Sequence, residues 1–352
     1  MNEESRPILS IIIAVYKAEK TLARCLDSIF SQISADGDGG VVEVLAVDDA
    51  SPDGSGAILS EYRKSHSALR IVNHSENRRE AASSRNTGMV ESRGNYYTFL
   101  DPDDTYASNT IAQILSAIRL HHPDLIHYCY VRVSPNGSFL SRTHFSVPGL
   151  HSTHPDGEAE LQAVFQETAF GIMTSGGVYR RTIAPELRFS HDFPISEDRH
   201  FGWEFFRQCQ NVFQIDVPLY EYYQYPGTVS RILSDKAVEG LLRLDRIFWE
   251  EFQQHPAFPK AARYGFRRLF PGVVGWHLDI VFGKDTSKRR LGPLYFDVLK
   301  FYLGNTAKSE LGIGQLWLKT AQFLRSPRMI RIFRSWTFGV WRPLKSRLVP
   351  SK

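Results

Sequence analysis

The chain is poor in cysteine: Cys25, Cys129 and Cys209 are the only three in 352 residues. Three widely spaced thiols build neither a disulfide framework nor a four-cysteine zinc centre, and they suit a reducing compartment. No uninterrupted apolar run reaches 18 residues, so a membrane-spanning helix is not expected. Residues 269–282 come closest, and His277 and Asp279 break them. The opening MNEESRP places no basic head before an apolar stretch, so no signal peptide is expected. P-loop, HExxH and G-x-S-x-G motifs are all missing. Gly54-Ser55-Gly56 fails the dinucleotide fingerprint, because its third glycine would fall at Leu59 and it follows the second strand. The histidines at 121, 122, 144, 151 and 154 lack metal-ligand spacing and read as solvated loop residues. Carboxylates stop at Glu310, whereas residues 311–352 hold nine Lys or Arg. An overall charge of +4 therefore conceals an acidic body and a basic tail, which calls for an anionic partner of its own.

Hydrophobic residues make up 42% and charged residues 23%, the balance of an ordinary globular chain. Residues 8–16 (ILSIIIAVY) form a continuous apolar run and read as a strand buried on both faces. Leu22, Leu26, Ile29 and Ile33 follow at helical spacing. Residues 41–47 (VVEVLAV) give a second buried strand that ends in Asp48-Asp49. A helix starts within residues 58–62, and residues 69–73 form a third strand. Residues 81–93 are helical in pattern, and residues 96–100 are a fourth strand ending at Asp101-Pro102-Asp103-Asp104. Ser108 suits the cap of a helix carrying Ile111, Ile114, Leu115 and Ile118. Residues 124–133 complete a fifth strand. Strand and helix alternating at this spacing predict an α/β fold with a mostly parallel sheet flanked by helices. Ligands in such sheets bind outside the carboxyl ends of the strands, where both acidic clusters fall. The expected division is a catalytic domain over 1–235, a helical extension over 236–310 with Leu241, Leu242, Ile247, Phe248 and Phe252 as its buried face, and a basic amphipathic segment over 311–352.

Asp101 and Asp103 stand at i and i+2 around a proline that fixes the backbone between them. Such hard oxygen ligands suit Mg²⁺ or Mn²⁺, which bind through one or two carboxylates plus substrate phosphates. Asp48 and Asp49 head a loop rich in Asp, Pro and Gly, where a carboxylate can accept from a base imide or a ribose hydroxyl. Ser196, Glu197 and Asp198 precede an aromatic helix. They read as a cap with two acids at the positive end of the dipole, and equally as a general base facing a cleft.

These segments, taken in order, resemble a family 2 glycosyltransferase, an inverting enzyme of the GT-A fold. Residues 10–16 (SIIIAVY) resemble its opening strand and 47–55 (VDDASPDGS) its nucleotide loop. Residues 84–89 (SRNTGM) resemble its A-R-N-x-G helix start, 99–104 (FLDPDD) its metal-binding segment and 195–201 (ISEDRHF) its late E-D motif. The resemblance implies a nucleotide-sugar donor, UDP-sugars foremost, bound by Ala14, Tyr16, Asp48, Asp49, Arg85 and Asp101. It implies Mn²⁺ or Mg²⁺ on Asp103 and Asp198 as the catalytic base. Two departures stand out. A glycine common before the A-R-N segment is replaced within residues 77–82 (NRREAA). Residues 222–230 (YYQYPGTVS) resemble the family's closing strand without a histidine to join the metal.

The competing readings are weaker. A nucleotidyltransferase needs a glycine-rich phosphate loop after the first strand, where residues 14–20 (AVYKAEK) have no glycine. A non-catalytic anion-binding protein leaves three acidic clusters unexplained, and no nucleic-acid partner is expected. In the tail, Ser326-Pro327 is a helix-start pair. Met329, Phe333, Trp336 and Val340 then share one face, while Arg328, Arg331 and Arg334 line another. That pattern suits an interfacial helix on an anionic membrane surface. The expected setting is cytoplasmic, peripheral to the inner face of a membrane, with a saccharide or lipid-linked saccharide as acceptor.

Overall fold

The first apolar run forms β1 (Leu9–Val15), in which every residue except Ala14 is buried. It continues into α1 (Leu22–Phe30), whose buried face is Leu22, Cys25, Leu26 and Ile29. Each Leu or Ile covered in this way stabilises the fold by about 1.5–3 kcal/mol. A short turn, α2 (Gly37–Gly40), leads to the fully buried β2 (Val42–Asp48). Then come α3 (Ser55–Ser65), β3 (Leu69–Asn73), α4 (Ala81–Glu91) and β4 (Tyr96–Phe99). The chain goes on through β5 (Thr105–Tyr106), α5 (Thr110–His121), β6 (Leu125–Val133), β7 (Phe139–Arg142) and β8 (Gly149–Ser152). It ends in β9 (Gly177–Arg180), α6 (Glu197–Phe206) and β10 (Asn211–Tyr223). The computed structural model describes residues 6–153, 174–193 and 197–225, with Gly240, Arg243, Leu244 and Ile247. The expectations for Ser196, His154, the closing residues 226–230, most of the helical extension and the basic segment 311–352 lie outside the described residues.

One sheet carries the fold, with strand order β3-β2-β1-β4-β9-β6-β10-β5. The first four strands in that order are mutually parallel, as the alternation predicts. The fifth strand does not extend them. β9 runs antiparallel between β4 and β6, and β6 then pairs in parallel with β10. The sheet is therefore mixed, and the expected all-parallel half stops at β4. Helices cover both faces. One core joins Ile11, Ile13 and Val15 to Leu26, Leu59, Ile114 and Ile118 from α1, α3 and α5. The other joins Ile12, Tyr97 and Phe99 to Met89, Phe201 and Phe205 from α4 and α6, with Leu244 and Ile247 against it.

Two local expectations are corrected. Ser108 does not cap α5; the cap position is Asn109, at φ 66° and with no side-chain hydrogen bond. His151 is not solvated but buried in β8, with Nε2 2.6 Å from the Val147 carbonyl. Among the described residues no helix is long and apolar enough to cross a membrane.

Candidate active site

Sheet register sets the site. Val15 pairs with Asp48, and Asp48 with Asn73. Ile12 pairs with Phe99, so Asp101 emerges beside Ala14. The ends of β1, β2, β3 and β4 thus open on one edge, and the acidic clusters share it. Tyr16 is 41% exposed there, with the Lys17 ammonium 5.2 Å from its ring centre. Ala14 is the one position of β1 not fully buried.

The loop after β2 is tied to the loop after β1 by side chains. Lys17 N–H donates to Ser51 Oγ, Ala18 N–H to Ser55 Oγ, and Gly54 N–H to Glu19 Oε2 at 2.9 Å. Lys17 and Ala50 take φ of 52° and 54°, in the left-handed region. Such strain costs about 1–3 kcal/mol each and persists only where the surroundings hold it. Asp48 turns its carboxylate to its own loop and accepts from Ser51 N–H at 3.1 Å. Asp49 is buried and accepts from His74 Nδ1 at 2.6 Å and from Arg78 N–H at 3.1 Å. Within residues 77–82, where a glycine is replaced, Arg79 stands at φ 64°. Its N–H is satisfied by the Asn77 side chain.

Arg85 lies on α4, which comes close to β1 because residue 88 is glycine. A Cβ at Gly88 would sit 2.3 Å from Ile12 Cγ2. One guanidinium nitrogen of Arg85 donates to Asp101 Oδ1 at 2.8 Å and the other to Glu197 Oε1 at 3.0 Å. Burial pulls the Arg85 pKa down, but the two carboxylates outweigh it and hold the charge firmly. Arg85 is thus the link between the loop after β4 and the start of α6, 112 residues apart from Glu197 in sequence. The next residue, Asn86, clasps Phe189 through two backbone bonds of 3.0 and 2.8 Å. Phe189 in turn stacks on Phe201 of α6 at 4.1 Å.

Burial, reinforced by the charge of Asp101, pushes the Asp103 carboxyl up to about 6. Asp104 is pushed to about 9 by burial and its acidic neighbours. Its two oxygens accept from Tyr220 Oη at 2.6 Å and from Tyr223 N–H at 2.7 Å, tying the acidic loop to β10. Glu197 and Asp198 are both raised by burial; Asp198 also raises Glu197, and Arg85 opposes both shifts. Asp198 Oδ1 accepts from Arg199 N–H at 2.7 Å.

Of the eight residues expected from the sequence, Ala14, Tyr16, Asp48, Asp49, Asp101 and Asp103 stand at or just beyond these strand ends, Arg85 reaches Asp101 from α4, and Asp198 opens α6 beside Glu197. Arg24 and His74 were not anticipated, and Asn86 and Asp104 stood in motifs read from the sequence without a role of their own. Arg24 donates to the Asp103 carbonyl at 2.6 Å and to Tyr225 Oη at 3.0 Å, and packs over the Tyr223 ring. It sits on the polar side of an otherwise ordinary amphipathic helix, and no spacing marks it.

Asp101 and Asp103 offer hard oxygens, and burial first, then their acidic neighbours, raises Asp103 and Asp104. A divalent cation fits that environment. Among the described residues no three His, Cys, Asp or Glu side chains converge on one point. The protein would thus supply few ligands and the substrate the others.

Comparison with known proteins bears on the family and the fold. The model of glycosyl transferase family 2 matches residues 10–188. The glycosyltransferase EpsJ of Bacillus subtilis is 28% identical over 243 residues, 67% of this chain and 67% of that protein. The amylovoran biosynthesis glycosyltransferase AmsB of Erwinia amylovora is 31% identical over 196 residues, 54% of this chain and 60% of that protein. S. aureus TarS 1–349, in complex with UDP-GlcNAc, superposes with a TM-score of 0.70 at 18% identity, covering 94% of this chain and 92% of that one. The chain belongs to glycosyl transferase family 2: it is a glycosyltransferase built on the GT-A fold.

Proposed function

We propose that this glycosyltransferase inverts the anomeric centre. It would move a sugar from a nucleotide-diphosphate donor, a UDP-sugar foremost, to a hydroxyl of a saccharide or lipid-linked saccharide in cell-surface polymer synthesis. The observation that carries the reading is Arg85, which donates to Asp101 after β4 and to Glu197 at the start of α6. A donor-side acid and the immediate neighbour of the candidate base Asp198 are thereby tied to one side chain. The structural neighbour with UDP-GlcNAc and the relative named for amylovoran biosynthesis support the donor and the product class.

Tyr16 offers a stacking face for the base, and Asp49 an acceptor for one of its N–H groups. Asp103, with Asp101, would hold Mn²⁺ or Mg²⁺, which when bound neutralises charge on the diphosphate. Asp198 takes the proton from the acceptor hydroxyl. That oxygen then bonds to the anomeric carbon from the face opposite the diphosphate. The bond from carbon to diphosphate oxygen breaks, and the nucleoside diphosphate leaves with the electron pair. One displacement needs one base, in contrast to the two carboxylates of most glycosidases. Burial raises Asp198, as suits a base that must hold the proton it takes.

The test is thermal-shift screening of nucleotide sugars with Mn²⁺, since ligands that bind the folded state raise its apparent stability. A hit is followed by NMR of the product anomer. Stabilisation by a nucleotide sugar and an inverted product support the proposal. A retained configuration, or no nucleotide sugar stabilising the protein, refutes it.

A further inference from the structure

Asp49 is held from behind by a histidine outside every acidic cluster. His74 follows β3, and its backbone N–H donates to the Asp48 carbonyl at 2.9 Å. Its ring is buried, with Nδ1 2.6 Å from Asp49 Oδ1 and Nε2 2.9 Å from Thr87 Oγ1. A carboxylate only accepts, so Nδ1 carries a hydrogen, and the Thr87 hydroxyl completes the chain at Nε2. Arg78 N–H straddles both oxygens of Asp49 at 3.1 Å. Oδ1 is thereby engaged twice, whereas Oδ2 is engaged once among the described residues, by Arg78 N–H. Thr87 lies on α4 two residues beyond Arg85, so the brace is anchored in the helix that also organises the catalytic acids.

We propose that His74, braced by Thr87, is a positioning residue that fixes the rotation of the Asp49 carboxylate and thereby sets which nucleotide base the donor may carry. The inference rests on the nucleotide-sugar reading above. The terminal torsion of an aspartate is broad and roughly two-fold, so a carboxylate without this bond presents either oxygen over a range of angles. With the imidazole in place, the carboxylate is held in one orientation, and Oδ2 keeps capacity to accept. A pyrimidine whose ring nitrogen carries hydrogen, as in uracil, donates to it. Cytosine presents a lone pair at that atom and leaves that capacity of Oδ2 unmet. Sites built to meet one hydrogen-bonding group reject the analogue that lacks it, because their own polar group is then left unpaired.

The experiment titrates UDP and CDP separately into the full chain with Mn²⁺ by calorimetry, for the parent, His74→Asn and His74→Gln. The asparagine amide occupies the place of Nδ1 and keeps a donor on Asp49 with one torsion fewer than glutamine. The glutamine amide reaches the place of Nε2, keeps the Thr87 contact and loses Asp49. The expected result is a UDP preference in the parent, kept by His74→Asn and reduced at least about tenfold in His74→Gln. A purely structural histidine would weaken both nucleotides alike and leave their ratio unmoved, which overturns the proposal. So does an unchanged preference in His74→Gln, or a lost one in a folded His74→Asn. A parent that binds neither nucleotide overturns the nucleotide-sugar reading itself, and a parent that binds both equally overturns only the role of His74.

Discussion

Asp103→Asn is expected to strengthen the fold while it weakens donor binding. Burial and the charge of Asp101 move the Asp103 carboxyl from an ordinary 3.8 to about 6. A folded value above the unfolded one means that the folded protein retains a proton the unfolded chain has released. Stability from this group therefore falls as pH rises from about 4 to about 6, and stays reduced above that. At 1.36 kcal/mol per pH unit the displacement is worth about 3 kcal/mol. Asparagine keeps the shape and carries no charge, so the variant should gain about 1–3 kcal/mol at pH 8 without metal. That is a rise of several degrees in Tm, at about 2–4 °C per kcal/mol. The gain should shrink below pH 6 and vanish near pH 4, where parent and variant are both neutral at this position. Donor affinity in Mn²⁺ should fall at least about tenfold, or about 1.4 kcal/mol. Calorimetric unfolding in chelator across pH, paired with donor titration in Mn²⁺, measures both. A variant less stable than the parent at pH 8, or a difference independent of pH, would refute the electrostatic argument.

Other substitutions separate the remaining roles. Asp198→Asn should lose about 10²–10⁴ in turnover while it retains nucleotide-sugar binding; normal nucleotide release in that variant would move the role elsewhere, first to Glu197. Arg85→Ala leaves the half-buried Asp101 and Glu197 without their shared cation, and should cost about 1–3 kcal/mol in thermal unfolding; an unchanged Tm would show that the bridge contributes nothing. The C-terminal segment is expected to bind anionic vesicles through Met329, Phe333 and Trp336 opposite its arginines, at about 1 kcal/mol per cation at best. Sedimentation should pellet the full chain but not one ending near Ser326; equal pelleting of both would end that idea.

The half of the sheet that carries the acidic clusters was legible because strands buried on both faces write themselves as unbroken apolar runs. β1, β2 and β4 fall within about one residue of where those runs predict. β9 was not legible: GVYR is four residues with no period to read, and its place between β4 and β6 is set by partners far away in the chain. The acidic residues announced themselves because charge at the end of a buried strand needs a reason. Arg24, His74 and Asn86 did not. Their roles come from pairings 79, 25 and 103 residues away, which tertiary structure alone supplies.

The interposed β9 also dictates an order of assembly. During synthesis, β1 to β4 and their helices leave the ribosome well before residues 177–180, and so does β6. Until β9 arrives, β4 and β6 each present an open edge, and both are strands whose residues are almost all buried in the finished protein. Unpaired apolar edges are templates for joining other chains. A chain stopped short of residue 177 should therefore be found in aggregates, while one that reaches past β10 closes its own sheet. For anyone trimming this enzyme, a soluble piece must keep a four-residue strand that lies far beyond the acidic loops after β2 and β4.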